Sequence, residues 1–222
     1  MIIRARREGI PLKTGPASGE RARMKRHLFL SGPAFSGKSR LIRELLGAGL
    51  QSAGGFCTEL CTAADGSMLG CAMMPAAMAG GVEGLEKELF LDMRSFPPEH
   101  DSEVFRNLGV RLLDESEWYP FAVLDEIGGI DLIIPQFRVA LDSLLASELP
   151  ILGVVKSRED SEQMRQMLGP GARFTAFSER LYGQLTKDPD TEILPISENA
   201  EEEAGERVKA WIEEYAALPG FH

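Results

Sequence analysis

Residues 27–42 have the sequence HLFLSGPAFSGKSRLI. The apolar run Leu28–Leu30 predicts a buried strand, and the loop after it contains Gly32-x-x-x-x-Gly37-Lys38-Ser39, the Walker A pattern. Apolar residues then recur at helical spacing, at Leu41, Ile42, Leu45 and Leu46. This succession of strand, loop and helix predicts a phosphate-binding loop. The alternative, a glycine-rich turn that ends in Lys-Ser by chance, would not require such flanking elements.

The chemistry of the loop explains why these residue types occur at this spacing. Backbone N–H groups surround an anion, and glycines permit close approaches that a Cβ would obstruct. Lys38 is expected to reach the terminal phosphates and Ser39 to offer its hydroxyl to Mg²⁺, at a helix N-terminus whose dipole also favours an anion. We therefore predict a catalytic role for Lys38 and nucleotide contacts from Gly32, Pro33, Ala34, Phe35, Ser36, Gly37, Lys38, Ser39 and Arg40.

A second apolar run, Phe121–Leu124, ends in the two carboxylates Asp125 and Glu126. Ligands of open α/β sheets lie at the carboxyl edge of the strands, which is where these side chains are expected. Asp125 is predicted to hold Mg²⁺ together with Ser39, and Glu126 to orient or deprotonate an attacking water. The alternative is an acidic pair that caps the turn after a strand.

The order of the remaining segments predicts a three-layer α/β fold. Strand-like and helix-like segments alternate, which is typical of a mostly parallel sheet covered on both faces. Two short apolar runs, Gly54–Glu59 and Gly70–Met74, flank Asp65-Gly66 and predict an antiparallel hairpin added to that sheet. Further strands are predicted at 88–91, 150–155 and 191–197, and helices at about 38–50, 101–116, 135–147, 161–168, 178–185 and 200–218.

Length and charge restrict the class of protein. The 222 residues carry a formal net charge of −10, yet residues 1–26 hold eight basic side chains and two acidic ones. The rest of the chain is therefore strongly acidic and unsuited to nonspecific binding of nucleic acid. We predict a disordered basic leader at 1–23 and a single P-loop domain at 24–222. No apolar run is long enough to span a membrane and three cysteines form no disulfide framework, so a cytoplasmic location is expected.

Three segments resemble a family of small P-loop proteins, the thermophile or cancer-related nucleoside-triphosphatases. They are the loop Gly32–Ser39, the run Gly54-Gly-Phe-Cys-Thr-Glu59, similar to the family's Gly-Phe-Tyr-Thr-Glu, and Asp125-Glu-Ile-Gly-Gly-Ile-Asp-Leu132, similar to its Asp-Glu-Ile-Gly-Lys-Met-Glu-Leu. The resemblance covers essentially residues 24–217. It implies a RecA-like sheet and Mg²⁺-dependent hydrolysis of ATP, GTP and other nucleoside triphosphates to diphosphate and phosphate. Where the family has Gly, Arg, Lys and Asn-Arg, this chain has Phe35, Thr62, Gly129 and Asn199-Ala200.

A further cation is expected beside the phosphates, because an arginine at the transition state is worth roughly 10³–10⁵ in rate. Arg158 follows the predicted strand at 150–155, and Arg138 lies in the predicted helix at 135–147. These two residues are the candidates for that cation.

Two other functions remain open at this point. A nucleotide or small-molecule kinase would use the same loop, with the basic residues of 156–187 as a lid over its substrates, although such charges are also typical of an exposed helix. A non-enzymatic nucleotide-binding adaptor would bind the nucleotide without turnover. The chain carries no motif that indicates the preferred base or a protein partner.

Overall fold

The computed structural model of the chain describes residues 24–79, 87–169, 173–197 and 201–216. The predicted basic leader lies outside these ranges, as do Asn199 and Ala200. The strands are β1 (His27–Ser31), β2 (Ala53–Thr62), β3 (Met68–Pro75), β4 (Glu88–Asp92), β5 (Glu99–His100), β6 (Phe121–Ile127), β7 (Ile151–Val155) and β8 (Thr191–Pro195). The α-helices are α1 (Lys38–Leu46), α2 (Ser102–Val104), α3 (Val110–Asp114), α4 (Pro135–Leu145), α5 (Arg158–Leu168), α6 (Thr175–Lys187) and α7 (Glu201–Trp211). None of the helices in these four ranges is both long and apolar enough to cross a membrane.

The eight strands form one sheet that is mostly parallel. Its strand order is β5-β4-β3-β2-β6-β7-β1-β8. Five strands run parallel to one another, namely β2, β6, β7, β1 and β8. The remaining strands, β3, β4 and β5, extend the sheet beyond β2 in antiparallel fashion. The predicted hairpin is β2–β3, closed by a turn in which the Gly66 amide donates to the Ala63 carbonyl at 2.9 Å. Because β1 lies between β7 and β8, the loop that follows it emerges inside the parallel part of the sheet.

Each face of the sheet packs against its own hydrophobic core, because successive strand residues point to opposite sides. In β1, Phe29 belongs to the core shared with α3, α4 and α6, whereas Leu28 and Leu30 belong to the core shared with α1 and α7. Trp211 at the end of α7 is fully buried, and its indole N–H donates to the Arg26 carbonyl at 3.0 Å. Helices on both faces of this sheet confirm the predicted three-layer, RecA-like α/β fold with an antiparallel hairpin addition.

Several predicted element bounds differ from the structure, and two of these differences concern the helices α5 and α2–α3. The helix predicted to start at residue 161 starts earlier, at Arg158, because the Ser157 hydroxyl accepts the amide N–H of Asp160 at 3.1 Å and caps the helix there. The helix predicted at 101–116 is interrupted by a π turn, Phe105–Gly109, which lies between α2 and α3. Both differences concern the ends or continuity of helices and leave the order of the layers unchanged.

Candidate nucleotide-binding site

The predicted phosphate loop joins β1 to α1 at the carboxyl edge of the sheet. Gly37 is the N-cap of α1, which begins at Lys38. Gly32 has a φ of +149°, and a Cβ at this position would lie 2.4 Å from the carbonyl oxygen of Ile196. Only glycine fits where the loop passes the end of β8. At the tip of the loop, the ring of Phe35 is exposed to solvent.

The ammonium group of Lys38 lies within the loop rather than in solvent. The residue is 5% exposed. Its Nζ donates to the carbonyl oxygens of Gly32 at 2.8 Å and Pro33 at 2.6 Å, and it lies 3.3 Å from Ser36 Oγ. A positive charge therefore stands at the N-terminus of α1, where backbone N–H groups and the helix dipole also favour an anion.

Ser39 and Asp125 come into contact behind the loop. Ser39 Oγ donates to Asp125 Oδ1 at 2.6 Å, and Arg43 Nη2 lies 3.3 Å from Asp125 Oδ2. The Asp125 side chain is buried, and burial raises the pKa of its carboxyl group, whereas the contacts with Ser39 and Arg43 oppose that rise. A hydroxyl and a carboxylate at this distance are the oxygen donors that Mg²⁺ prefers. The pair therefore fits a magnesium ion.

Glu126 forms an ion pair with Lys156, the residue that directly follows β7. Glu126 lies at an irregularity in the β6–β7 ladder, where Asp125 and Ile127 pair with successive residues of β7. Such irregularities redirect a side chain. The Glu126 and Lys156 side chains are only 20% and 14% exposed. Burial lowers the pKa of Lys156, but the carboxylate of Glu126 outweighs that effect and the pKa is raised above its usual value.

The turn after β6 makes room for this ion pair. A Cβ at Gly129 would lie 2.8 Å from Cε of Lys156 and 3.1 Å from Cδ, so the missing side chain leaves space for the lysine stem. Asp131 is buried beneath the turn and accepts the amides of Gly129 at 2.6 Å and Gly128 at 3.2 Å. Burial raises the pKa of Asp131 to about 6, although these two hydrogen bonds oppose the rise.

Comparisons with known proteins identify a family and a similar fold. A family model described as NTPase matches residues 27–178. The chain belongs to the NTPase family. Among solved structures, this NTPase-family chain is similar to the crystal structure of THEP1 from the hyperthermophile Aquifex aeolicus, with a TM-score of 0.54 and 14% sequence identity over 84% of this chain and 99% of that chain. At this identity the likeness concerns the fold, and a comparison with curated proteins gave no match. The family match confirms the resemblance to small P-loop nucleoside-triphosphatases.

The two arginines considered as cations of this NTPase-family site make other contacts. Arg158 is exposed and pairs with Glu179 at 3.5 Å. The Arg138 guanidinium lies 4.0 Å from the centre of the Phe177 ring and donates to the Leu132 carbonyl. Neither arginine is among the residues that line the cavity in front of the loop.

Two basic residues that were not predicted to contact the carboxylates of the site lie beside them. Arg43 contacts Asp125, and Lys156 contacts Glu126. Helical spacing was the available signal for Arg43, because it lies four residues after Ser39 and therefore on the same face of α1. The signal for Lys156 was its position directly after an apolar run. Asp125 also directly follows an apolar run, so both side chains are expected at the same edge of the sheet.

A cavity of about 630 Å³ opens in front of the loop. Its polar lining includes the loop residues Ala34–Arg40 together with Glu126 and Lys156. Its apolar lining includes Leu60, Met68, Leu91, Met93, Met164 and Met167. This volume is typical of small-molecule sites. The polar lining suits phosphates, and the flexible thioether side chains suit a less polar group.

Proposed function

We propose that the chain hydrolyses nucleoside triphosphates, including ATP and GTP, to the diphosphate and phosphate in a Mg²⁺-dependent reaction. The observation that carries this proposal is the contact between Ser39 and Asp125 behind a loop that encloses Lys38. Membership of the NTPase family supports the class of reaction. We place the reaction in the cytoplasm, where the free thiols Cys57, Cys61 and Cys71 would stay reduced.

The position of each side chain suggests its role. The loop amides and Lys38 would stabilise charge on the phosphate oxygens during attack. Mg²⁺ held by Ser39 and Asp125 would supply further neutralisation of the phosphate charge. Arg43 would balance the buried charge of Asp125. Glu126, held in place by Lys156, would orient the attacking water.

The direct test is phosphate release from ATP, GTP, CTP and UTP in the presence of Mg²⁺. We expect Lys38→Ala to abolish release and Glu126→Gln to reduce it by at least about 100-fold while nucleotide binding persists. Matched controls are Lys209→Ala and Glu206→Gln, which change the same charges in an exposed ion pair on α7 and should leave the rate unchanged. Nucleotide binding that depends on Lys38 without any phosphate release by the wild-type chain would contradict hydrolysis.

The apolar lining of the cavity favours one second candidate, transfer of the phosphoryl group to an acceptor molecule. Of the basic residues in 156–187, Arg158 pairs with Glu179 and Arg165 with Glu162, and neither of these two arginines lines the cavity. The two reactions differ in their products. Hydrolysis yields diphosphate and phosphate in equal amounts, whereas transfer would yield an excess of diphosphate that depends on the added acceptor.

A further inference from the structure

Lys156 lies between the two halves of the nucleotide-binding site. It directly follows β7, and β7 lies in the sheet between β1, which leads into the phosphate loop, and β6, which carries Asp125 and Glu126. The carboxyl ends of parallel strands meet at one edge of a sheet, so Lys156 stands beside both groups of residues. Its side chain lines the same cavity as Lys38 and Glu126.

The segment that follows Lys156 is held against the phosphate loop. The helix α5 begins two residues later, at Arg158, and Oδ1 of its third residue, Asp160, accepts the amide N–H of Ala34 at 2.8 Å. The negative charge of Asp160 also acts on the ammonium group of Lys156. The position of Lys156 beside the loop is therefore supported by a contact that does not involve Glu126.

The ammonium group of Lys156 keeps donors for a ligand. Such a group has three N–H donors. Within the four described ranges, Nζ donates one hydrogen bond, to Oε2 of Glu126, which leaves two donors without a protein partner. The side chain is 14% exposed and lines the cavity, so these donors can serve an anion that enters it.

Lys156 also fits best among the basic residues as the further cation expected beside the phosphates. In the part of the chain that the structure describes, the basic side chains that line the cavity are Lys38, Arg40, Arg43 and Lys156. The first belongs to the loop itself. Arg40 is exposed and pairs with Glu201 on α7, whereas Arg43 contacts the buried Asp125. Lys156 remains, and it contacts the carboxylate to which the attacking water is assigned.

We propose that Lys156 is a catalytic residue whose ammonium group donates to an oxygen of the γ-phosphate while it stays paired with Glu126, a proposal that rests on the function proposed above. Its positive charge reduces the repulsion between the Glu126 carboxylate and the phosphate, so that both can approach the attacking water. It also stabilises the charge that is spread over the phosphate oxygens in the transition state. Because ADP has no γ-phosphate, Lys156 discriminates ATP from ADP.

The test compares the affinity of the full chain for ADP with that for an ATP analogue in which NH replaces the oxygen between the β- and γ-phosphorus. Calorimetry with Mg²⁺ measures both. We expect Lys156→Met to weaken binding of the analogue by at least about 10-fold and binding of ADP by less than about threefold, because a charge-assisted hydrogen bond is lost. The kcat for phosphate release should fall by at least about 100-fold. Lys209→Met, in the exposed ion pair on α7, should change none of these values.

The Glu126→Gln background separates a contact with the phosphate from mere positioning of Glu126. In this background Lys156→Met should weaken binding of the analogue by the same factor, because the contact with the γ-phosphate does not require the carboxylate. The double variant lacks both charges of the ion pair, so it replaces Lys156→Met as the test if the single variant is poorly folded. Melting temperatures of the four chains show which of them are folded.

Three results would contradict these expectations. Equal losses of affinity for ADP and for the analogue, or no loss, would overturn the proposal. A loss that disappears in Glu126→Gln would also overturn it, because Lys156 would then act only through Glu126. Absence of phosphate release from the wild-type chain would refute the proposed function, whereas the two affinities would still decide whether Lys156 contacts the γ-phosphate.

Discussion

The ion pair between Lys156 and Glu126 allows a quantitative test of the site through stability alone. Both side chains keep a fifth or less of their surface exposed. Removing one partner of a buried pair leaves an uncompensated charge and costs about 3–5 kcal/mol. Because this pair retains some contact with water, we expect Lys156→Met to lower the free energy of unfolding by about 3 kcal/mol. For a chain of this size, that loss corresponds to roughly 6–12 °C in melting temperature.

The partner substitution completes a double-mutant cycle. Glu126→Gln should cost less, about 1 kcal/mol, because the ammonium group of Lys156 still experiences the charges of Asp131 and Asp160. The free energy of unfolding of the double variant should fall by about 2 kcal/mol less than the sum of the two single losses. Urea denaturation of the four chains, followed by circular dichroism at pH 7.5, measures all of these quantities.

An exposed ion pair on α7 provides the matched control. Lys209→Met removes a lysine from an exposed ion pair with Glu206 and should not change stability measurably. The reasoning about Lys156 would be refuted by a loss below about 1 kcal/mol together with no coupling to Glu126, because a buried charge pair cannot behave in that way.

Three further predictions concern buried groups and the loop. Because burial raises the pKa of Asp131 to about 6, the folded chain holds this proton more tightly than the unfolded chain, and its contribution to stability is lost as the pH rises. When the pH is raised from 5 to 7.5, the free energy of unfolding of the wild-type chain should therefore fall by about 1.4 kcal/mol relative to that of Asp131→Asn. Urea denaturation of both chains measures this difference. His27 is buried with both ring nitrogens unpaired among the described residues, and burial lowers its pKa. His27→Leu should raise the free energy of unfolding by about 1–2 kcal/mol at pH 7.5. This difference from the wild type should grow below pH 6.5, because there the imidazole gains a proton readily only in the unfolded wild-type chain. Gly32→Ala should cost at least about 2 kcal/mol and abolish nucleotide binding in calorimetry, because its Cβ would meet the Ile196 carbonyl; a fully stable variant that binds nucleotide would contradict this.

The parts of the fold that could be predicted depend on local patterns. The strand, loop and helix of residues 27–42 are contiguous, so their spacing alone indicates the loop. Asp125 could be placed near Ser39 because the carboxyl ends of parallel strands meet at one edge of a sheet. The Asp65-Gly66 turn likewise specifies the β2–β3 hairpin through short-range chemistry.

The parts that could not be predicted depend on contacts between distant segments. The pairing of Lys156 with Glu126 follows from the space left at Gly129, whereas Arg158, a candidate for the cation beside the phosphates, begins a helix. The hydrogen bond from the Ala34 amide to Asp160 joins segments that are 126 residues apart, and the helix that carries Asp160 was predicted to begin only at residue 161. Such pairings require the strand order, which periodicity does not reveal.

The position of β1 has a consequence for how the chain assembles. Its neighbours, β7 and β8, are both encoded in the second half of the sequence, so a ribosome completes the loop and α1 long before β1 can enter a sheet. Pairings between such distant segments form slowly. The nucleotide site is therefore completed late in folding, after Ile151–Val155 have been synthesised. A nucleotide that binds only the completed site would shift the folding equilibrium towards the native chain.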